Sequence, residues 1–293
     1  MHFLILCILS STAIFVVFKS VHQFNLPVFP VIVINYLTAT LLGFLVYSGD
    51  RSWRSISGAG WLPISILIGI LFIIMFFLVG ISTRKAGISV TTTASKMSVV
   101  FPIVFSLVID PADQLTMLKS VAVIIALGGV ALTVYQPGGF QREGSVIFYP
   151  LLLFMGMGLV DSLVKLAQQR YVRDDQTALF SAVLFLNAFA SGVVAALIDH
   201  RHARRFLKPA VWGWGVLLGI VNFGSLFFLV RALNFTSANG AGMDGSVIFG
   251  ANNISVVALS VLVGLVVFKE KLRVINWMGV LLSALSLFLF TLL

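Results

Sequence analysis

A lysine in the middle of a long apolar stretch is the most chemically loaded residue of this 293-residue chain. Lys96 sits in the run 88–109, with Thr91, Thr92, Thr93, Ser95 and Ser98 around it and Pro102 beyond. On a helix turning about 100° per residue, Thr91, Ser95 and Ser98 share one stripe, flanked by Thr92, Lys96 and Thr93. A charge at the centre of a bilayer costs roughly 2.5–3.5 kcal/mol on insertion scales, so the ammonium must face a cavity or a partner. Facing a cavity, it is a cationic contact for a carboxylate or a phosphate. The rival reading is a structural ion pair with Asp161 or Asp244. Pro102 has no N–H for the Ser98 carbonyl one turn back, which is expected to loosen the helix beside the lysine.

The second polar patch lies between residues 240 and 253. Gly240, Gly242, Gly245 and Gly250 surround Asp244 and Ser246, and Asn252 and Asn253 follow. Glycine allows close approach or local unwinding, and Asp and Asn supply acceptors at depth. The alternative is tight packing through small residues, with Asp244 at the water interface. Asp161 and Lys165 are four residues apart, one helical turn, and are expected to pair; alternatively Asp161 takes up a proton and frees Lys165 for solute. Asp161, Asp244 and Lys165 are therefore the candidates for proton coupling. Lys19, at the end of its apolar run, is expected to snorkel to the headgroups. Asn35, Asn187 and Asn222 could line a path or bond across helices, with packing the expected role, and Arg231 is expected to anchor a helix end. The histidines are terminal or in loops. His200 and His202 sit among Arg201, Arg204 and Arg205, without the acidic or thiol ligands that a zinc site would add. No nucleophile elbow, phosphate-cradling loop or paired-carboxylate pattern is present, so neither an enzyme nor a cofactor or metal is expected.

The elements that must hold these residues follow from composition. Hydrophobic residues make up 59% of the chain and charged ones 10%, with a mean hydropathy of +1.08. A soluble domain needs roughly 25% charged residues to wet its surface, so a water-soluble enzyme, a nucleic-acid binder and a disordered chain are excluded. A membrane-crossing helix takes about 20 apolar residues. Ten runs of that kind lie at about 2–20, 28–48, 61–81, 88–109, 117–135, 146–168, 176–198, 211–232, 241–267 and 273–293. Trp61, Trp212, Trp214 and Trp277, with Tyr47, Tyr135, Tyr149 and Tyr171, fall near their ends, where amphipathic rings sit at headgroup level. The expected fold is an all-α integral membrane protein of ten transmembrane helices. The first run lacks a cationic start and a small-x-small cleavage site, and is expected to remain as a span. One cysteine, Cys7, excludes an internal disulfide.

The two halves of the chain resemble each other. Trp61 and Phe76-Phe77-Leu78-Val79 recur as Trp212 and Phe227-Phe228-Leu229-Val230 at an offset of 151 residues. Ser95 to Val100 match Asn252 to Val257, and Asp113-Gln114-Leu115 match Glu270-Lys271-Leu272, at an offset of 157. The expected units are 1–137 and 146–293, joined by Gln136-Pro137-Gly138-Gly139. Five helices is an odd number, so the halves would enter the membrane in opposite directions, with the site between them near the midplane.

With Phe18-Lys19 closing the first helix, Ala232-Leu233 then Ser237-Ala238 after the eighth, Pro102 in the fourth and an acid before the fifth and tenth, the chain resembles the drug/metabolite transporter superfamily, in its ten-helix EamA-type branch. The resemblance implies a secondary transporter in the inner or plasma membrane, working by alternating access and often moving a small metabolite outward. Lys96, Ser95, Thr92, Asn252, Asn253 and Asp244 are the expected solute contacts, in a cavity walled by helices 1, 4, 6 and 9. The expected partners are a small-molecule substrate and membrane lipid, with no nucleic acid. Proton coupling, and monomer against homodimer, stay open. An exporter of drugs or cations on the same fold and a non-transporting membrane scaffold are the rivals. Orientation draws two opposite expectations. Eleven Lys and Arg at one set of helix ends, against six at the other, favour an outside N terminus, whereas the resemblance, to which the reading leans, implies cytoplasmic termini.

Overall fold

The computed structural model describes residues 2–47, 49, 56–102, 104, 116–135, 145–172, 176–198, 205–233 and 245–290. Ten α-helices carry these residues: α1 (His2–Gln23), α2 (Val28–Val46), α3 (Leu62–Lys85), α4 (Ile88–Met97), α5 (Met117–Val134), α6 (Ser145–Arg170), α7 (Thr177–Ile198), α8 (Pro209–Leu233), α9 (Gly245–Val266) and α10 (Val274–Phe290). Six of them are long and apolar enough to cross a membrane: α1, α2, α3, α6, α7 and α8. The chain is thus a multi-pass helical protein of membrane character.

Helix ends follow the sequence closely, with one exception. The run 88–109 stops as an α-helix at Met97, turns at Ser98–Val99 and resumes helical geometry at Val100. Pro102 cannot donate to the Ser98 carbonyl. That carbonyl is not left free, as the sequence suggested: the Phe101 N–H reaches it at 2.9 Å in a tighter turn.

The neighbours of each helix form a regular pattern. α1 packs on α8 and α9, and α6 packs on α3 and α4; α2 lies against α8, and α7 against α3; α5 meets α10, α2 meets α7 and α4 meets α9. Exchanging α1–α5 for α6–α10 leaves each of these pairings in place. Side chains repeat the exchange. The Asn35 and Asn222 amides bond at 3.1 Å between α2 and α8, and Asn187 Nδ2 donates to Ser65 Oγ at 2.9 Å between α7 and α3. The three asparagines therefore serve packing, each bond satisfying a polar group that hydrocarbon cannot.

The main apolar core gathers Phe18, Ile32, Tyr36, Ile68, Leu153, Phe180, Phe185 and Leu218 from α1, α2, α3, α6, α7 and α8. Tyr36 is fully buried, and its hydroxyl donates to the Phe72 carbonyl at 2.9 Å. Trp61 is a correction to the interfacial expectation. It is fully buried, meets Phe180 edge-on at 5.6 Å and donates from Nε1 to Gln176 Oε1 at 3.1 Å, so protein replaces the headgroups as its polar partner. Trp212 and Trp277 are exposed, as ring residues at a lipid boundary should be.

Candidate solute site between four helices

Helix α4 owes its place to its small polar residues, which let six neighbours, α1, α3, α5, α6, α9 and α10, approach closely. Every residue from Ile88 to Ser95 is buried, and so are Met97 and Ser98; between 88 and 98 only Lys96 is half-buried. A side chain on a helix enclosed on all sides exposes surface only into a space between helices. Lys96 makes no hydrogen bond or ion pair among the described residues. Its charge lies within electrostatic reach of Asp161 on α6 and Cys7 on α1. Cys7 Sγ in turn lies 3.2 Å from Asn252 Oδ1 on α9 and 3.2 Å from the Ser225 carbonyl on α8, and its one proton serves either acceptor. Lys96 on α4 thus has neighbours on α1 and α6, and Cys7 links this cluster to α9.

Around Lys96 the hydroxyls divide by partner. Thr91 donates to the Gly87 carbonyl at 2.7 Å, and Thr93 to the Ser89 carbonyl at 2.9 Å, so both are taken up by their own helix. Thr92 Oγ1 is buried with no partner, the condition of an acceptor or donor that awaits one. Ser95 is nearly buried, at 7% exposure. Asn252 is buried and Asn253 half-buried, while Asp244, Gly240 and Gly242 lie outside the described residues.

Two expected pairings do not form. Asp161 and Lys165 are not an ion pair. Asp161 Oδ2 meets Ser98 Oγ at 3.1 Å, and Lys165 Nζ reaches the Pro102 carbonyl at 3.4 Å. The turn that breaks α4 offers a hydroxyl and a carbonyl toward α6, and these replace the intrahelical partner. Nor does Lys96 pair with Asp161, since no N···O distance between them falls within 4 Å. Ser98 Oγ also lies 2.6 Å from the Ser95 carbonyl. One hydroxyl proton serves one acceptor at a time. The Asp161 carboxylate can accept from Ser98; the carboxylic acid can donate to it while Ser98 donates to Ser95. The site accommodates both protonation states with the same atoms.

No family model matches the chain. A Haemophilus influenzae protein described only as uncharacterized is 26% identical over 296 residues, which span 98% of this chain and 97% of the relative. A solved crystal structure, described only as that of a protein, aligns with 98% of this chain and 97% of its own at a TM-score of 0.57 and 15% identity. The likeness shows a shared fold over essentially the whole length.

Sequence reading missed a second polar centre. Lys19 does not snorkel. Its Nζ bonds Glu270 Oε1 at 3.1 Å and the Thr83 carbonyl at 3.2 Å, with the two side chains 17% and 11% exposed. The Glu270 carboxylate also accepts from the Ile88 N–H at 2.7 Å, the Ser89 N–H at 3.3 Å and Ser89 Oγ at 3.0 Å, so it caps the N terminus of α4. The available signal was Gly87, a glycine just ahead of a helix with no capping side chain of its own. Arg231, exposed at the end of α8, stacks its guanidinium over Phe227 at 5.3 Å.

Proposed function

We propose that this chain is a ten-helix secondary transporter, two inverted five-helix repeats of the drug/metabolite (EamA) type, that exports a small anionic or zwitterionic metabolite by alternating access. The observation that carries the reading is Lys96: a cation without a hydrogen-bond or ion-pair partner among the described residues, on an otherwise enclosed helix, within electrostatic reach of Cys7 on α1 and Asp161 on α6. A buried ammonium left unpaired by its own protein is stabilised when an anion joins it. Thr92 Oγ1 supplies a hydroxyl on the preceding turn. Asn252 supplies an amide opposite. Asp161, with two workable hydrogen-bond arrangements at Ser98, is the proton carrier that links solute movement to a gradient. The exchange of helix neighbours supports the repeat, because a site between two such halves can open to either side by rocking.

Uptake by proteoliposomes tests this, with a panel of carboxylates, phosphates and cationic dyes, with and without a pH gradient. Lys96→Ala is expected to lower saturable anion transport at least tenfold, about 1.4 kcal/mol, and Lys96→Arg to keep part of it. Asp161→Asn is expected to retain exchange of solute for solute while losing acceleration by the gradient. Anion transport by Lys96→Ala at the wild-type rate would refute the site. Preference for cationic dyes would establish the drug-export alternative.

A further inference from the structure

Glu270 stands apart from the solute site, and its geometry is too specific for a loop residue at a membrane surface. Both carboxylate oxygens are used: Oε1 takes the Ile88 N–H and Lys19, Oε2 takes the Ser89 N–H and hydroxyl. Through Lys19 the same carboxylate reaches the last turn of α3 at Thr83. One side chain from the α9–α10 link thereby ties α1, the α3–α4 corner and the α4 N terminus together. The backbone is shaped to deliver it. Gly87 stands at φ +92°, and a Cβ there would lie 2.7 Å from Glu270 Oε1. A Cβ on Gly264 would lie 2.7 Å from Oε2. Lys269, which has a side chain, nevertheless holds φ at +53°. Non-glycine residues in that region are strained and concentrate at switches and functional sites.

We propose that Glu270 is a latch: while its carboxylate holds Lys19 and the α4 N terminus, it closes the cationic end of the gap, and its release opens that end to solute. The inference rests on the transport reading and adds which residue governs access. The clamped helix is the one that carries Lys96, eight residues from Ile88, about 12 Å along the axis. A solute bound at Lys96 and the latch at Ile88 therefore pull on one short rod. Everything that fastens the latch is polar, so it can exchange for water without unpacking an apolar core. Its release bares a cationic mouth. His22 lies within reach of Arg84 and Lys19, Arg205 and Lys208 share a hollow with the α1–α2 turn at Asn25–Pro27, and Lys269 and Lys271 flank the glutamate. Of the chain's ten acids, the described residues hold Asp161 and Glu270, so Glu270 is the single described acid at this end. Such a mouth draws anions toward Lys96.

The native single cysteine provides the test. Cys7 is buried beside Asn252, twelve residues from Lys19 and about 18 Å deeper along α1, so a reagent reaches it only when the bundle opens. In membrane vesicles of either sidedness, the rate of Cys7 modification by a membrane-impermeant maleimide reports access from each face. Glu270→Gln is expected to raise the rate from the cationic face at least tenfold, with the rate from the other face unchanged and Glu270→Asp near wild type. In a Cys7→Ser background, Lys19→Cys with Glu270→Cys, once oxidised, is expected to stop solute exchange until reduced. Wild-type access in Glu270→Gln, or exchange untouched by oxidation of the cysteine pair, would overturn the latch while leaving the transport reading intact. Raised access in a protein whose wild type moves no anion would keep the latch and remove the transport reading. If Glu270→Gln does not fold, the oxidised pair decides.

Discussion

At the scale of single residues, polar atoms divide by whether they have a partner, and the buried hydroxyls of Thr12, Ser260 and Ser283 share with Thr92 the lack of one. Asn35, Asn187 and Asn222 have partners across helices, and Thr91 and Thr93 have their own backbone. Lys96 and Thr92 have none among the described residues. Thr92→Val tests this contrast. A buried hydroxyl without a partner carries a desolvation penalty of about 1–3 kcal/mol, so its removal is expected to leave the melting temperature in detergent unchanged or raised. The same substitution is expected to raise the KM for the transported anion several-fold, measured by uptake. A large fall in melting temperature with unaltered KM would make Thr92 a structural residue.

At the scale of elements, the α5–α10 pair is held by backbone proximity. Asn276, 7% exposed on α10, donates from Nδ2 to the carbonyls of Thr133 and Tyr135, each at 2.9 Å, and of Leu132 at 3.2 Å. These carbonyls end α5 and have no donor within their own helix. Asn276→Ala is expected to destabilise the protein by about 1–3 kcal/mol, read from thermal unfolding in detergent. Two adjacent glycines give a sharper comparison. A Cβ on Gly129 would lie 2.6 Å from Ser283 Oγ and 2.8 Å from the Ser283 backbone nitrogen, whereas a Cβ on Gly128 meets nothing within 4 Å. Gly129→Ala is expected to cost about 1–3 kcal/mol through overpacking against backbone. Gly128→Ala should be neutral, or stabilising by up to about 1 kcal/mol through helix propensity. Equal effects at the two positions would contradict this contact between α5 and α10.

At the scale of the whole molecule, charge separates the two ends. Lys19, His22, Arg84, Lys85, Arg205, Lys208, Lys269, Lys271 and Arg273 lie at the ends of α1 and α3, the start of α8 and the α9–α10 link, with Glu270 among them. α1 runs toward this end and α10 away from it, so both chain ends belong to the opposite face. Cationic ends stay in the cytoplasm under the positive-inside rule. The family resemblance, to which the reading leans, instead implies cytoplasmic termini, so alkaline phosphatase fused after Leu293 is expected to be inactive, and activity outside the cell would favour the charge count. A fluorescent protein at the same position, bright in the cytoplasm, would show the opposite orientation and favour the family resemblance over the charge count.

The fold was legible in the sequence to the extent that a bilayer imposes it. Hydrocarbon thickness and the need to satisfy backbone groups internally turn apolar runs into helices, so nine of the ten segments fell within a few residues of their observed helices, while the fourth stopped as an α-helix at Met97. Lys96 and its hydroxyls were visible for the same reason, because a charge inside an apolar run has no inexpensive explanation. Partner choice was not legible. Lys19 meets Glu270 across 251 positions of sequence, Asp161 turns to Ser98 on another helix although Lys165 is one turn away, and Trp61 finds Gln176 in place of headgroups. Periodicity says which face of a helix is polar; only packing brings a particular donor within three ångströms of a particular acceptor. Helix positions were therefore determined along the chain, and the pairing that distinguishes a latch from an anchor was decided by the tertiary structure.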